Sequence, residues 1–274
     1  MTEPGAPPTS AAMPAGTTAP VPHRPANGAP PIQSALAQLG MELRLTARRG
    51  ENLFVIVVLP LVLLVFFSLV PALTPNTARP IDFLLPGILA LAVISTSLVN
   101  LSIATAFERS YGVLKRLGGS PLPRAGLIGA KIGAVLVVEV VQVVLLVGVA
   151  IALFGWHTGP GWSPAVVLLA FALGTLAFAG LGLLMAGTLR AEGTLAAANG
   201  LFLVFLLLGG VVLPVDHLPG FLADLARALP ASALSDAYRI GLGSTNGDPL
   251  PALLVLVAWG VVASVLAARS FRWE

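Results

Sequence analysis

Glu139 is the residue of this chain best placed to do chemistry. It is the only ionisable residue well inside a long apolar run. An acid at that depth binds a cation, relays a proton or ties helices together. Asn100 falls at a similar depth in another run, Gln142 in the same run and Asn199 in a third are also in the cytoplasmic half, and Ser97 lies higher in its own. Two readings of the carboxyl stay open. Either these polar groups line a wet vestibule with Glu139 attracting a cation, or Glu139 pairs with Lys131 or Asn100 as interhelical glue. Other chemistry finds little support. The chain has no cysteine, and His23, His157 and His217 are too far apart to suggest a metal cluster. Asp216 beside His217 reads as a solvated loop pair. Ser120 sits in G-G-S-P, without the G-x-S-x-G spacing of a nucleophile elbow. No H-E-x-x-H and no G-x-x-x-x-G-K-S/T phosphate loop occurs. No catalytic residue and no metal site are therefore expected.

The elements that hold these residues are membrane helices. Of 274 residues, 57% are hydrophobic and only 10% charged, with a mean hydropathy of +0.94. That excludes an ordinary soluble enzyme. The basic balance, net +3, does not gather on one soluble face, so nucleic acid is not an expected partner. Six apolar spans are placed near residues 53–70, 83–107, 132–154, 165–189, 194–213 and 251–268. Each is long enough to cross a hydrocarbon core. Ala170, Gly174, Gly180 and Gly187 in the fourth would permit close helix contact. The fold class is all-α and polytopic. Residues 1–31, rich in Pro and Ala, form an expected disordered tail without the apolar stretch of a signal peptide. Residues 32–274 form the membrane domain. It opens with an amphipathic surface helix whose apolar side is Ile32, Leu36, Leu39 and Leu43.

Basic residues set the expected orientation. Arg44, Arg48, Arg49, Arg109, Lys115, Arg116, Arg124, Lys131, Arg190, Arg269 and Arg272 fall on one side of the six spans. Arg79, Arg227 and Arg239 fall on the other. The bias places both termini in the cytoplasm of a multi-pass protein of the cell inner (plasma) membrane. Trp156, Trp162 and Trp273 would be interfacial anchors.

Two connections exceed a turn. The cytoplasmic one reads E-R-S-Y-G-V-L-K-R-L-G-G-S-P-L-P-R from Glu108 to Arg124 and continues to Lys131. Tyr111, Leu114 and Leu117 can share a helical face, and the Gly and Pro residues then end the helix. The external one, from Pro214 to Asp248, carries an apolar stripe of Leu218, Phe221, Leu222, Leu225 and Leu229 between Pro219 and Pro230.

These two segments resemble those of the type-2 ATP-binding-cassette (ABC) exporter permeases, which include the daunorubicin-resistance type. In the first, Glu108, Arg109, Gly112, Leu114, Leu117, Ser120, Pro121, Arg124 and Lys131 fall on the family's pattern. Ser110, Val113 and Lys115 depart from it and make the segment more basic. The resemblance covers roughly residues 32–272. It implies a permease that works as a pair, with a second copy or a paralogue and with separate ABC ATPase subunits that bind ATP and Mg. Glu108–Arg124, with Lys115 among its residues, would be the coupling helix. The pathway would be lined mainly by the second and fifth spans. Short external helices carrying Pro214, Leu218, Pro219, Phe221 and Pro230 would gate release. No cofactor is expected on this chain. Spans poor in Tyr and Trp suit a lipophilic drug, antibiotic or lipid-like cargo better than a sugar polymer. A proton-coupled secondary transporter using Glu139, or a membrane scaffold without transport, are the competing readings.

Overall fold

The computed structural model describes residues 31–48, 50–70, 79–113, 124–211, 214–215 and 218–271. Every regular element among them is a helix. In chain order these are α1 (Pro31–Arg48), α2 (Gly50–Leu69), α3 (Pro80–Ser110), α4 (Arg124–Phe154), α5 (Pro164–Thr188), α6 (Ala191–Leu208), α7 (Gly220–Ala228), α8 (Pro230–Gly241) and α9 (Leu250–Ser270). The protein is an all-α polytopic membrane protein. Five helices, α3 to α6 and α9, are long and apolar enough to cross a bilayer. The expected first span is α2, whose described apolar stretch, Phe54–Leu69, is shorter. A count of six spans therefore depends on α2. The expected tail, up to residue 30, lies outside the described residues.

Helix α3 is the centre of the bundle. Its most apolar stretch is 83% buried, against 22% for α6 and for α9. Its middle, Ile94–Asn100, is a π-helix between two α-helical halves, Pro80–Val93 and Leu101–Ser110. Such segments hold one residue more per turn and are uncommon outside functional sites. The glycines of α5 let three neighbours approach closely. A Cβ on Gly174 would lie 2.8 Å from Leu234 of α8, one on Gly180 3.0 Å from the Ser264 nitrogen of α9, and one on Gly182 2.9 Å from the Ser97 carbonyl of α3.

Helix α1 packs on α4 with a face that includes Leu39 of its apolar side and also Glu42. Leu36 is exposed, Leu39 meets Gly133, and Glu42 is buried. The inward face is chosen by an ion pair described below. Trp156 also departs from expectation. It is 6% exposed and belongs to the core rather than to an interface, whereas Trp162 is half exposed. Trp273 lies outside the described residues.

At the end of the bundle where α3 begins, the turn after α4 is stitched to the loop after α8. Gly159 N–H donates to the Leu242 carbonyl at 2.9 Å, and Ser163 N–H to the Gly241 carbonyl at 2.8 Å. Gly243 has φ of 76°, a left-handed value that favours glycine. A Cβ on Gly159 would sit 1.9 Å from the Gly243 carbonyl oxygen. Gly159→Ala should therefore destabilise the chain by about 1–3 kcal/mol, as overpacking does. A lowered thermal unfolding midpoint in detergent would show it.

Candidate transport pathway and its anchor points

A cavity of about 520 Å³ lies between α2, α3 and α6. Its apolar wall includes Ile56, Leu59 and Pro60 of α2, Val99, Ile103 and Phe107 of α3, and Leu195 and Phe202 of α6. Its polar points are Ser95, Asn100, Tyr111 and Asn199. Asn199 donates to the Leu195 carbonyl at 2.8 Å, one turn back on α6. A concave, largely apolar site with a few polar groups is the usual form of a small-molecule site. The size and lining suit an amphiphile.

The polar candidates thus separate into two groups. Asn100 and Asn199 line the cavity. Ser97, Glu139 and Gln142 do not appear in its described lining and are instead buried in two hydrogen-bonded groups behind α3. Ser97 Oγ and Thr175 Oγ1 both donate to Glu139, the latter at 2.7 Å. Thr96 Oγ1 donates to Gln142 Oε1 at 2.8 Å, and Gln142 Nε2 donates to the Ile56 carbonyl at 3.0 Å. All five side chains are buried. In the low-dielectric interior such a network is worth keeping whole, because each orphaned group would be costly. Thr175 was not anticipated. Its only sequence signal is that it is a lone hydroxyl in the apolar, Gly/Ala-rich stretch of α5.

Lys131 does not pair with Glu139. Its ammonium lies 2.5 Å from Glu108 and 3.1 Å from Glu42, and the side chain is 4% exposed. One buried cation thus joins the surface helix α1, the end of α3 and the base of α4. Gln38 donates to Glu42 at 3.1 Å and helps aim it. Next to Glu108, Arg109 donates to the Leu189 carbonyl between α5 and α6. Gly112 then turns the chain with φ of 69°. Of the remaining candidate coupling residues, Leu114, Lys115, Leu117, Ser120 and Pro121 lie outside the described residues, and Arg124 opens α4.

The opposite end of α3 has its own anchor. Arg239 of α8 is 6% exposed. It donates to Asp236 at 3.0 Å and to the Gly210 carbonyl just beyond α6, and its guanidinium stacks 4.2 Å over the Phe83 ring of α3. Counted in the sequence only as a loop charge, it ties three elements together. Gly87 of α3 approaches so closely here that a Cβ would lie 2.6 Å from the Val211 carbonyl oxygen. The candidate gate residues divide around this point. Pro230 is buried, Pro214 and Leu218 are half-buried, and Pro219 and Phe221 are exposed. On α7 the residues turned inward are Ala223 and Ala226, so the Phe221–Leu225 stripe faces outward.

With this geometry in view, the comparisons with known proteins give a single answer. Residues 36–242 match the family described as ABC-2 type transporter, and the chain belongs to that family. It is 26% identical over 205 residues to ABC transporter G family member 20 of Dictyostelium discoideum, covering 72% of this chain and 27% of that protein. The chain thus spans about a quarter of that relative's length. It is 24% identical over 188 residues to a Bacillus subtilis (strain 168) protein named "Putative transport permease YvfS", covering 64% of this chain and 71% of that one. The chain is accordingly a multi-pass membrane protein of the ABC-2 type transporter family.

Proposed function

We propose that this chain is the membrane subunit of an ATP-driven exporter of lipophilic or amphiphilic compounds, with drugs, antibiotics and lipid-like molecules as the cargo class. ATP and Mg²⁺ would be held by separate ATPase subunits docking at Glu108–Arg124. A second copy or a paralogue would complete the pathway. The excess of Lys and Arg on the α1 side supports a plasma-membrane orientation with both termini cytoplasmic.

The observation that carries this reading is the position of α3. One helix lines the cavity at its middle, is tied at one end to Lys131 beside the coupling segment, and is tied at the other to Arg239 of the external helices. Closure of an ATPase pair beneath Glu108 would move the wall of the cavity directly. Glu139 favours this over proton-coupled transport, because it is hydrogen-bonded between helices rather than facing the cavity.

The test is purification of the full chain from its native membrane with its bound partners, followed by reconstitution in proteoliposomes. Copurification of a P-loop ATPase and ATP-dependent export of lipophilic compounds are expected. Asn100→Leu and Asn199→Leu should raise KM for an exported compound by about fivefold to tenfold, the loss of one hydrogen bond each. Solute movement by the chain alone, without nucleotide, would refute the proposal.

A further inference from the structure

The π-helical segment of α3 presents opposite faces to different partners. Ser95, Val99 and Asn100 face the cavity. Behind them, Glu139 accepts from Ser97 and Gln142 from Thr96. On the α5 side, the close approach of Gly182 brings a would-be Cβ to 2.9 Å from the Ser97 carbonyl and 3.1 Å from the Leu98 carbonyl. The segment is held by side chains from one helix and by bare backbone from another. Gln142 also reaches the Ile56 carbonyl in the far wall of the cavity.

A π turn absorbs one residue more than an α turn. A return to α geometry would rotate the lower half of α3 by roughly 100° and slide it about 1.5 Å against the upper half. The upper half cannot yield, since Gly87 is wedged against Val211. Any change of register would therefore fall on the lower half, Leu101–Ser110, and be felt where Glu108 meets Lys131.

We propose that Glu139, Gln142 and Gly182 are positioning residues for transport: they hold α3 in its π register, and that register aims Ser95 and Asn100 into the cavity. None of the three need touch the cargo. The functional half of this inference rests on the cavity being the export pathway; the structural half does not.

The absence of native cysteine makes the test direct. Asn100→Cys and Leu101→Cys are placed singly in the full chain in lipid nanodiscs and exposed to a polar methanethiosulfonate reagent. With Glu139 and Gly182 intact, position 100 should react and position 101, which is 5% exposed, should be protected. In Glu139→Ala and in Gly182→Ala backgrounds the reactive position should shift by one residue. Glu139→Gln, which keeps an acceptor for Ser97, should retain the original pattern. If Glu139→Ala does not fold, Gly182→Ala and Glu139→Gln decide. An unshifted pattern in Gly182→Ala overturns the clamp. A shifted pattern with KM unchanged for an exported compound overturns the positioning role. Failure of ATP-driven export in the unmodified complex would sink the exporter reading and leave the thiol pattern standing.

Discussion

Lys131→Met should be among the most damaging single substitutions in the chain. It leaves Glu42 and Glu108, with side chains only 11% and 12% exposed, facing one another without their shared cation. Removing one partner from a buried ionic cluster costs about 3–5 kcal/mol, much of it the penalty of the charges left behind. Thermal unfolding in detergent should register the loss, and α1 should release from α4. The triple variant Lys131→Met, Glu42→Gln, Glu108→Gln separates stability from function. Its unfolding midpoint should recover most of the loss, because no unpaired charge remains. ATP-driven export should not recover, because the tie between α1, α3 and α4 is gone. Full recovery of export in the triple variant would show that the cluster is only structural.

Arg239→Ala is expected to act at the other end. It removes two hydrogen bonds from a charged donor and a stacking contact to Phe83. Hydrogen bonds to charged groups are worth about 1.5–3 kcal/mol each, so a loss of about 3 kcal/mol is expected. Because the contacts bridge α3, α8 and the exit from α6, the variant should also leak. Proteoliposomes carrying it should lose preloaded cargo without nucleotide, and unmodified ones should retain it. Arg239→Lys keeps the charge but not the planar fork. It should restore part of the stability and little of the seal. A tight Arg239→Ala vesicle would remove Arg239 from the gate.

The helices were legible because hydrophobic runs report directly on burial in a bilayer. The helix that carries the expected span 132–154 extends further towards the N-terminus, to Arg124. The basic, glycine-bearing approach to the span looks like loop in a hydropathy reading. The errors arise where three-dimensional pairing overrides local pattern. The leucine spacing of α1 places Leu36 on the apolar side of a membrane-surface helix and Glu42 on its polar side. Glu42 is nevertheless buried, because Lys131 offers it a partner that no feature of α1 reveals. Lys131 was matched to Glu139 by its spacing on one helix, yet Glu108 and Glu42 reach it from other helices. The five polar pathway candidates were recognisable as unusual residues in apolar runs. Their separation depends on which way each helix faces, and on α3 Ser97 and Asn100 point to different sides. Both lie in its π segment, Ile94–Asn100, which no feature of the sequence announces.

The glycine seam between α5 and α9 has a consequence for how this chain tolerates change. A Cβ on Gly180 would lie 3.0 Å from the Ser264 nitrogen, whereas one on Gly260 would make ordinary contact with Leu176 at 3.4 Å. Helices α2 and α6, by contrast, supply cavity walls while much of their surface faces outward. Tolerance to mutation should follow that divide: side chains of α2 and α6 can be exchanged freely enough for one lineage to drift from one exported compound to another. At the α5–α9 seam the resistance to replacement should be confined to the inward positions, Gly180 of α5 and the buried Leu256, Gly260, Ala263 and Ala267 of α9.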